Sequence, residues 1–177
     1  VDWAGSVSIE ANHFINFIGD IIRSFYRQGI KKFLLLDGGI STHPPLLILS
    51  SDLHNELDVE IAVTKIEGLG KEMEDKVCEQ KRGGHAGETE TSQMLAINSR
   101  LVQMNKAVEE YRPHKVSKSI NSNIKKISLR SKMRTKSGIH GNAKLANAKK
   151  GEKILQAKAD DIIKYIKYFE KHNISGR

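Results

Sequence analysis

Residues 83–92, Gly-Gly-His-Ala-Gly-Glu-Thr-Glu-Thr-Ser, hold the densest set of chemically able groups in this 177-residue chain. His85 stands in a glycine-rich turn, where the backbone can approach a ligand closely and the ring can point outward. Glu88 and Glu90 follow, with Thr89, Thr91 and Ser92 as hydroxyl donors at an expected helix start. An imidazole beside two carboxylates suits two jobs, holding a divalent metal and moving protons at neutral pH. The positive end of the helix would add donors for an anionic intermediate. The same spacing also serves plain structure, because Thr-x-x-Glu patterns cap helices and a carboxylate in the first turn favours the helix's positive end.

These groups need a scaffold, and hydrophobic periodicity outlines one. Over residues 11–27, Phe14, Ile15, Phe17, Ile18, Ile21, Ile22 and Phe25 recur at three- and four-residue spacing, which predicts an amphipathic helix. Gly29 is placed to cap its end. Lys31-Lys32-Phe33-Leu34-Leu35-Leu36 then reads as a strand buried on both faces, closed by Asp37-Gly38-Gly39. Pro44-Pro45 opens a second helical stretch running to Leu57, and residues 59–66 alternate as a further strand. Residues 6–9 are expected to form a short strand ahead of the first helix. A helix is expected through Ile97, short strands between Ser122 and Met133, and a last helix over 144–172 with Ile154, Leu155, Ile162, Ile163, Ile166 and Phe169 on one side. Helix and strand in this alternation predict an α/β fold, a three-layer α/β/α arrangement with a mostly parallel sheet. Ligands of such sheets sit beyond the carboxyl ends of the strands. Asp37, Gly38, Gly39, Ser41 and His43 leave the strand at that edge and are expected on the rim of any site.

Composition sets the bounds. The length fits a single domain spanning 1–177 with its own core. Hydrophobic residues make up 38% and charged residues 28%, and no apolar run approaches the ~18 residues of a spanning helix, so no membrane partner is expected. The opening residues carry no secretory pattern, and cytoplasm is the expected compartment. The single cysteine, Cys78, has no partner for a disulfide and is expected to be structural. The net charge of +8 is concentrated in residues 112–158, with fourteen Lys and Arg against the single acid Glu152. Such a stretch can bind nucleic acid, but it lacks zinc-ligand spacing and aromatic interleaving, and a solvated face with a Lys-rich helix is the expected reading. His13 and His54 fall on expected helices as surface or interface residues, and Trp3 is expected to pack at a chain end.

Residues 83–95, with Gly-His-Ala-Gly-Glu-x-Glu-Thr-Ser-x-Met-Leu, resemble the signature of the creatininase family of metal-dependent amidohydrolases. Gly5-Ser6-Val7-Ser8-Ile9 is similar to the family's Gly-Thr-x-Ser strand, and residues 29–39 to the glycine, buried strand and turn that follow. Near the end, Ser137-Gly138-Ile139-His140-Gly141 and Ala146-Asn147-Ala148-Lys149-Lys150-Gly151-Glu152 resemble the family's Gly-x-x-Gly-Asp-Pro turn and Ala-x-x-x-Lys-Gly-Glu helix. The resemblance spans nearly the whole chain and implies a creatininase-like fold.

It also implies hydrolysis of a cyclic or other non-peptide amide of a small molecule by water activated between divalent ions, zinc or manganese, in a homo-oligomer, usually a hexamer. His85 and Glu88 would be the catalytic pair, with His85 handling protons. Glu90, Asp37 and His43 are the candidate metal ligands, and Gly38, Gly39, Ser41 and Gly84 the candidate substrate contacts. Two departures accompany the matches. The family's Glu-x-His segment and a following aspartate lie upstream of the Gly-Thr-x-Ser strand, so the resemblance implies that the family's N-terminal portion is missing here. The family's Asn-Gly-His turn reads Asp37-Gly38-Gly39, placing Gly39 where the ligand histidine stands, and Gly-Asp-Pro has become Gly141-Asn142-Ala143. A catalytically reduced relative that binds a small molecule or a protein is therefore the alternative to the enzyme.

Overall fold

The computed structural model describes residues 6–112 and 135–171, and the chain divides into two compact units. An amino-terminal unit comprises Val7–Leu69 with Ala159–Arg177; a central unit comprises Gly70–Lys158 with Val1–Ser6. Trp3 and the strands expected between Ser122 and Met133 lie outside the described residues, as do residues 113–134 of the basic stretch.

The amino-terminal unit follows the hydrophobic pattern closely. Helix α1, Ala11–Tyr26, ends where Gly29 takes a φ of +92°, and the Ile30 N–H turns back onto the Phe25 carbonyl at 3.2 Å. Strand β1, Lys32–Leu35, pairs in parallel with β2, Glu60–Val63, in the register Lys32 to Glu60 through Leu35 to Val63. Helix α2, His43–Glu56, connects them and carries its prolines in the first turn. Ile22 of α1, Leu46, Leu49 and Leu53 of α2 and Val59 form the buried core, with Phe33, Leu35 and Ile61 packed against it. Each such aliphatic side chain contributes about 1.5–3 kcal/mol on burial. Two expectations are corrected here. Residues 6–9 form no strand, and Val7 and Ile9 are exposed. β1 is half-buried at all four positions rather than enclosed on both faces, because among the described residues it pairs with β2 alone.

The central unit contains an element that periodicity did not reveal, the seven-residue helix α3, Lys71–Val77, entered through Gly70 in the left-handed region. It is too short and too polar to carry a readable apolar face, and a Lys71–Asp75 ion pair runs along it. Helix α4, Glu88–Asn98, begins at the chemically rich segment. Strands β3, Glu109–Glu110, and β4, Gly141–Asn142, pair antiparallel. Helix α5, Ala148–Lys171, starts at Asn147, whose side-chain oxygen accepts the Lys150 N–H at 3.0 Å as an N-cap, while Lys144 and Leu145, expected to be helical, lie in a 3-10 turn over Ala143–Leu145. Helices α4 and α5 touch at Gly151, where any Cβ would overlap the Ser92 carbonyl, and the Asn147 N–H donates to the Ser92 hydroxyl at 3.1 Å. Residues of α5 up to Lys158 belong to the central unit, and those from Ala159 to the amino-terminal unit. No described helix is long and apolar enough to cross a membrane.

Candidate functional site

The candidate residues fall into two groups, one in each unit. In the amino-terminal unit, Asp37 follows the end of β1, tied to the end of β2 by its N–H, which donates to the Thr64 hydroxyl at 2.8 Å. Its carboxylate is 2% exposed and fully engaged. Oδ1 accepts the Gly39 N–H at 3.1 Å and the Thr42 hydroxyl at 2.5 Å, and Oδ2 faces Nδ1 of His43 at 3.1 Å. The loop from Asp37 to Thr42 is thus wrapped around one buried carboxylate, the usual service of aspartate in a turn. His43, 20% exposed, is oriented through Nδ1, and its Nε2 is the ring atom left to meet anything else. A Cβ at Gly39 would come within 2.8 Å of the Thr42 hydroxyl, so a side chain there collides with the group that Asp37 holds. Gly38 and Ser41 are exposed on the same loop.

In the central unit the turn at 83–87 presents His85. The ring is 62% exposed and its Nδ1 lies 4.0 Å from Oε2 of Glu90, itself 52% exposed. Its backbone is fixed: His85 and His140 form a bridge, with the His140 N–H donating to the His85 carbonyl at 2.7 Å and the His85 N–H to the His140 carbonyl at 3.3 Å. The Gly84 N–H donates to the same His140 carbonyl at 2.9 Å, and Gly84 has open space at the Cβ position. Ala86 takes a φ of +50°, a left-handed conformation that costs a residue with a Cβ about 1–2 kcal/mol. Its N–H donates to Glu90 at 2.6 Å, so Glu90 reaches back over the start of α4 as a capping residue does.

Glu88 is placed differently from Glu90. Its side chain is 0% exposed, and Oε2 accepts the backbone N–H groups of Glu79 at 2.9 Å and Gln80 at 2.7 Å. Oε1 meets Nζ of Lys150 at 2.5 Å, and Lys150 also pairs with Glu79 at 2.8 Å. Burial is the largest single influence on the Lys150 ammonium and works to lower it, but the bonds to Glu79 and Glu88 together hold it above its ordinary value. Glu88 thus faces inward to Lys150 and the backbone, not outward beside His85. The Cys78 thiol lies 3.6 Å from the Thr89 hydroxyl and is pushed up by burial, the state of an unreactive thiol.

Two residues passed over in the sequence matter to this turn. His140 supplies the bridge to His85, and Gln80 donates its backbone N–H to Glu88 while its side-chain oxygen accepts the Glu88 N–H. That bond also takes one of the helix-end donors expected to serve an anionic intermediate. Neither residue has a spacing signal, because the main-chain groups that they bond are brought to them only by folding. Taken unit by unit, the described residues gather no three His, Cys, Asp or Glu side chains able to hold a metal ion. Asp37 and His43 are two such groups, with both oxygens of Asp37 already committed, so these donors by themselves do not fit the family's metal centre.

The comparisons with known proteins bear on the whole chain. Residues 1–166 match the family model for creatininase, described as creatinine amidohydrolase. No curated protein matches in sequence. Among solved structures, one assigned as creatinine amidohydrolase from Bacteroides fragilis superposes with a TM-score of 0.82 at 23% identity, covering 98% of this chain and 67% of that one. A creatinine amidohydrolase (creatininase) structure gives a TM-score of 0.74 at 21% identity over 97% of this chain and 69% of its own, and a creatininase structure designated Mn gives 0.71 at 21% over 94% and 67%. These likenesses establish a creatininase-like α/β fold. With its signature at 83–95 and a family match over nearly its full length, the chain belongs to the creatininase family.

Proposed function

We propose that this chain is a creatininase-family amidohydrolase that cleaves the C–N bond of a cyclic or other non-peptide amide in a small molecule, with His85 as its proton carrier. The observation that supports this reading best is the contrast within one residue, a solvent-facing imidazole on a backbone fixed by His140. A ring so presented can take a proton from attacking water and hand it to the leaving nitrogen without the turn having to reorganise. Glu90 lies beside the ring, with Oε2 4.0 Å from Nδ1. Glu88 holds the turn from inside, and Gly84 leaves room beside the ring for substrate. Family relatives include structures designated Zn-Zn and Mn, and a divalent ion would supply Lewis-acid activation of water. Such an ion would need donors besides those that either unit gathers here.

His85→Ala should lower turnover of a small cyclic amide such as hydantoin or creatinine by at least about 100-fold without moving the unfolding midpoint. Equal turnover by variant and parent would dispose of the proton-carrier role. We propose further that the two units work as one domain in a cytoplasmic homo-oligomer, a hexamer on the family's pattern. The exposed Phe17, Ile21 and Phe25 of α1 support an apolar contact between copies. Sedimentation of a monomer at micromolar concentration would contradict the assembly.

Gly39 favours a second reading, a family member that binds a small molecule or a protein without catalysis, since it offers no ligand where the family's turn has a histidine. Metal analysis separates the two. Less than one zinc or manganese per chain after exposure to both ions, together with no turnover, fits the scaffold; bound metal with chelator-sensitive turnover fits the enzyme.

A further inference from the structure

The glycines of the His85 turn raise a question that the proton-carrier reading does not answer, namely what they make room for. A Cβ on Gly87 would lie 2.5 Å from Oε1 of Gln80, one on Gly83 would overlap the His140 carbonyl and lie 2.7 Å from Nε2 of Gln80, and one on Gly141 would overlap Oε1. Three glycines from two separate segments thus line a slot filled by a single side-chain amide. Gly83 and Gly141 also hold φ values of +120° and +155°, which residues with a Cβ rarely adopt. Inside the slot, Oε1 of Gln80 accepts the Asn142 N–H of β4 at 2.6 Å and the Glu88 N–H at the start of α4 at 3.0 Å. The backbone of Gln80 is itself anchored, its N–H donating to the buried Glu88 carboxylate at 2.7 Å.

The three residues between Gly83 and Gly87 are Gly84, His85 and Ala86. Both ends of that segment lie against the Gln80 side chain, the Gly83 end against the His140 carbonyl as well, and its middle is bonded to the main chain of His140, one residue before Gly141. We infer that Gln80 is the positioning residue for His85: its amide oxygen joins the helix start to the β4 strand and thereby fixes where the imidazole stands. The glycines serve this half-buried side chain rather than the approach of substrate, apart from Gly84, whose Cβ position is open. The inference rests on the reading of His85 as the proton carrier. A group that must stand within hydrogen-bond reach of a reacting atom loses about 100-fold when displaced by an ångström.

The test compares Gln80→Leu, which keeps the length and removes the accepting oxygen, with the parent on hydantoin or creatinine. Turnover should fall about 10- to 100-fold with KM within about twofold, and the same change made in His85→Ala should cost nothing further, because residues acting as one unit are not additive. Turnover within twofold of the parent, or an equal loss with and without His85, would overturn the inference. Should Gln80→Leu fail to fold, Gln80→Asn, whose oxygen falls one methylene short of Asn142, takes its place under the same criteria. Should the parent hydrolyse neither amide, the amidohydrolase reading fails by itself. Positioning is then read from amide hydrogen exchange at His85 and His140, which Gln80→Leu should accelerate at least about tenfold. Unchanged exchange would refute it.

Discussion

Two turns of this chain carry a histidine and a carboxylate in glycine-rich sequence, and they use them in opposite ways. In the loop after β1, the buried Asp37 grips the imidazole of His43 directly. In the turn before α4, the buried Glu88 grips backbone and Lys150, and the imidazole of His85 is left to solvent with the exposed Glu90 beside it. A histidine oriented by a buried carboxylate presents one fixed nitrogen, as a ligand should. A histidine on a fixed backbone with a free ring can change protonation during a reaction, as a carrier should. The lesson is that burial of the carboxylate decides what each turn histidine meets, and burial is not visible in spacing. The units differ in the same sense. The amino-terminal unit has an aliphatic core around Ile22, Leu49 and Leu53 with Asp37 and Thr64 buried beyond the strand ends, whereas among the described residues the interior of the central unit has Glu88 and Ser92 packed alongside Ile154 and Ala143.

Four measurements would break or sharpen this comparison. The largest effect is expected for Glu88→Ala, which leaves two N–H groups and the Lys150 ammonium without their buried partner and should cost about 3–5 kcal/mol in urea unfolding; a loss below 1 kcal/mol would mean that Glu88 does not hold the turn. Asp37→Ala should cost about 1–3 kcal/mol by the same method, since Gly39, Thr42 and His43 lose their acceptor while remaining nearer to water. Lys150→Met should flatten the alkaline limb of stability. The folded value of Lys150 stands above 10.5, so its contribution is complete below that pH and is lost as pH rises through the folded value. Parent and variant with identical slopes up to about pH 12 would contradict the paired ammonium. The smallest effect is expected for Glu90→Ala, under about 1 kcal/mol, because its carboxylate is exposed and screened; a cost equal to that of Glu88→Ala would erase the distinction between the two.

Much of the architecture was legible. The three- and four-residue spacing of α1, the apolar run of β1, the prolines of α2 and the apolar face of α5 each encode a local period, and local periods survive folding unchanged. The signature at 83–95 likewise revealed the family, because it is contiguous. Helix α3 escaped for want of any apolar stripe, and the strand expected at 6–9 failed because alternation over four residues is satisfied as well by extended chain as by a paired strand.

The amino-acid sequence by itself determined which segments coil and which extend, that His85 lies at a helix entrance among glycines, and that the chain is a creatininase relative. Only tertiary structure decided that Glu88 turns inward while Glu90 turns outward, that Asp37 holds His43, and that Gln80 and His140 carry the turn. Apart from the side-chain pairs Asp37–His43 and Glu88–Lys150, these outcomes rest on hydrogen bonds to main-chain groups as far as 62 residues apart, from Gln80 to Asn142. Every non-proline residue offers the same N–H and C=O whatever its side chain, so such bonds leave no mark in the sequence until the chain folds.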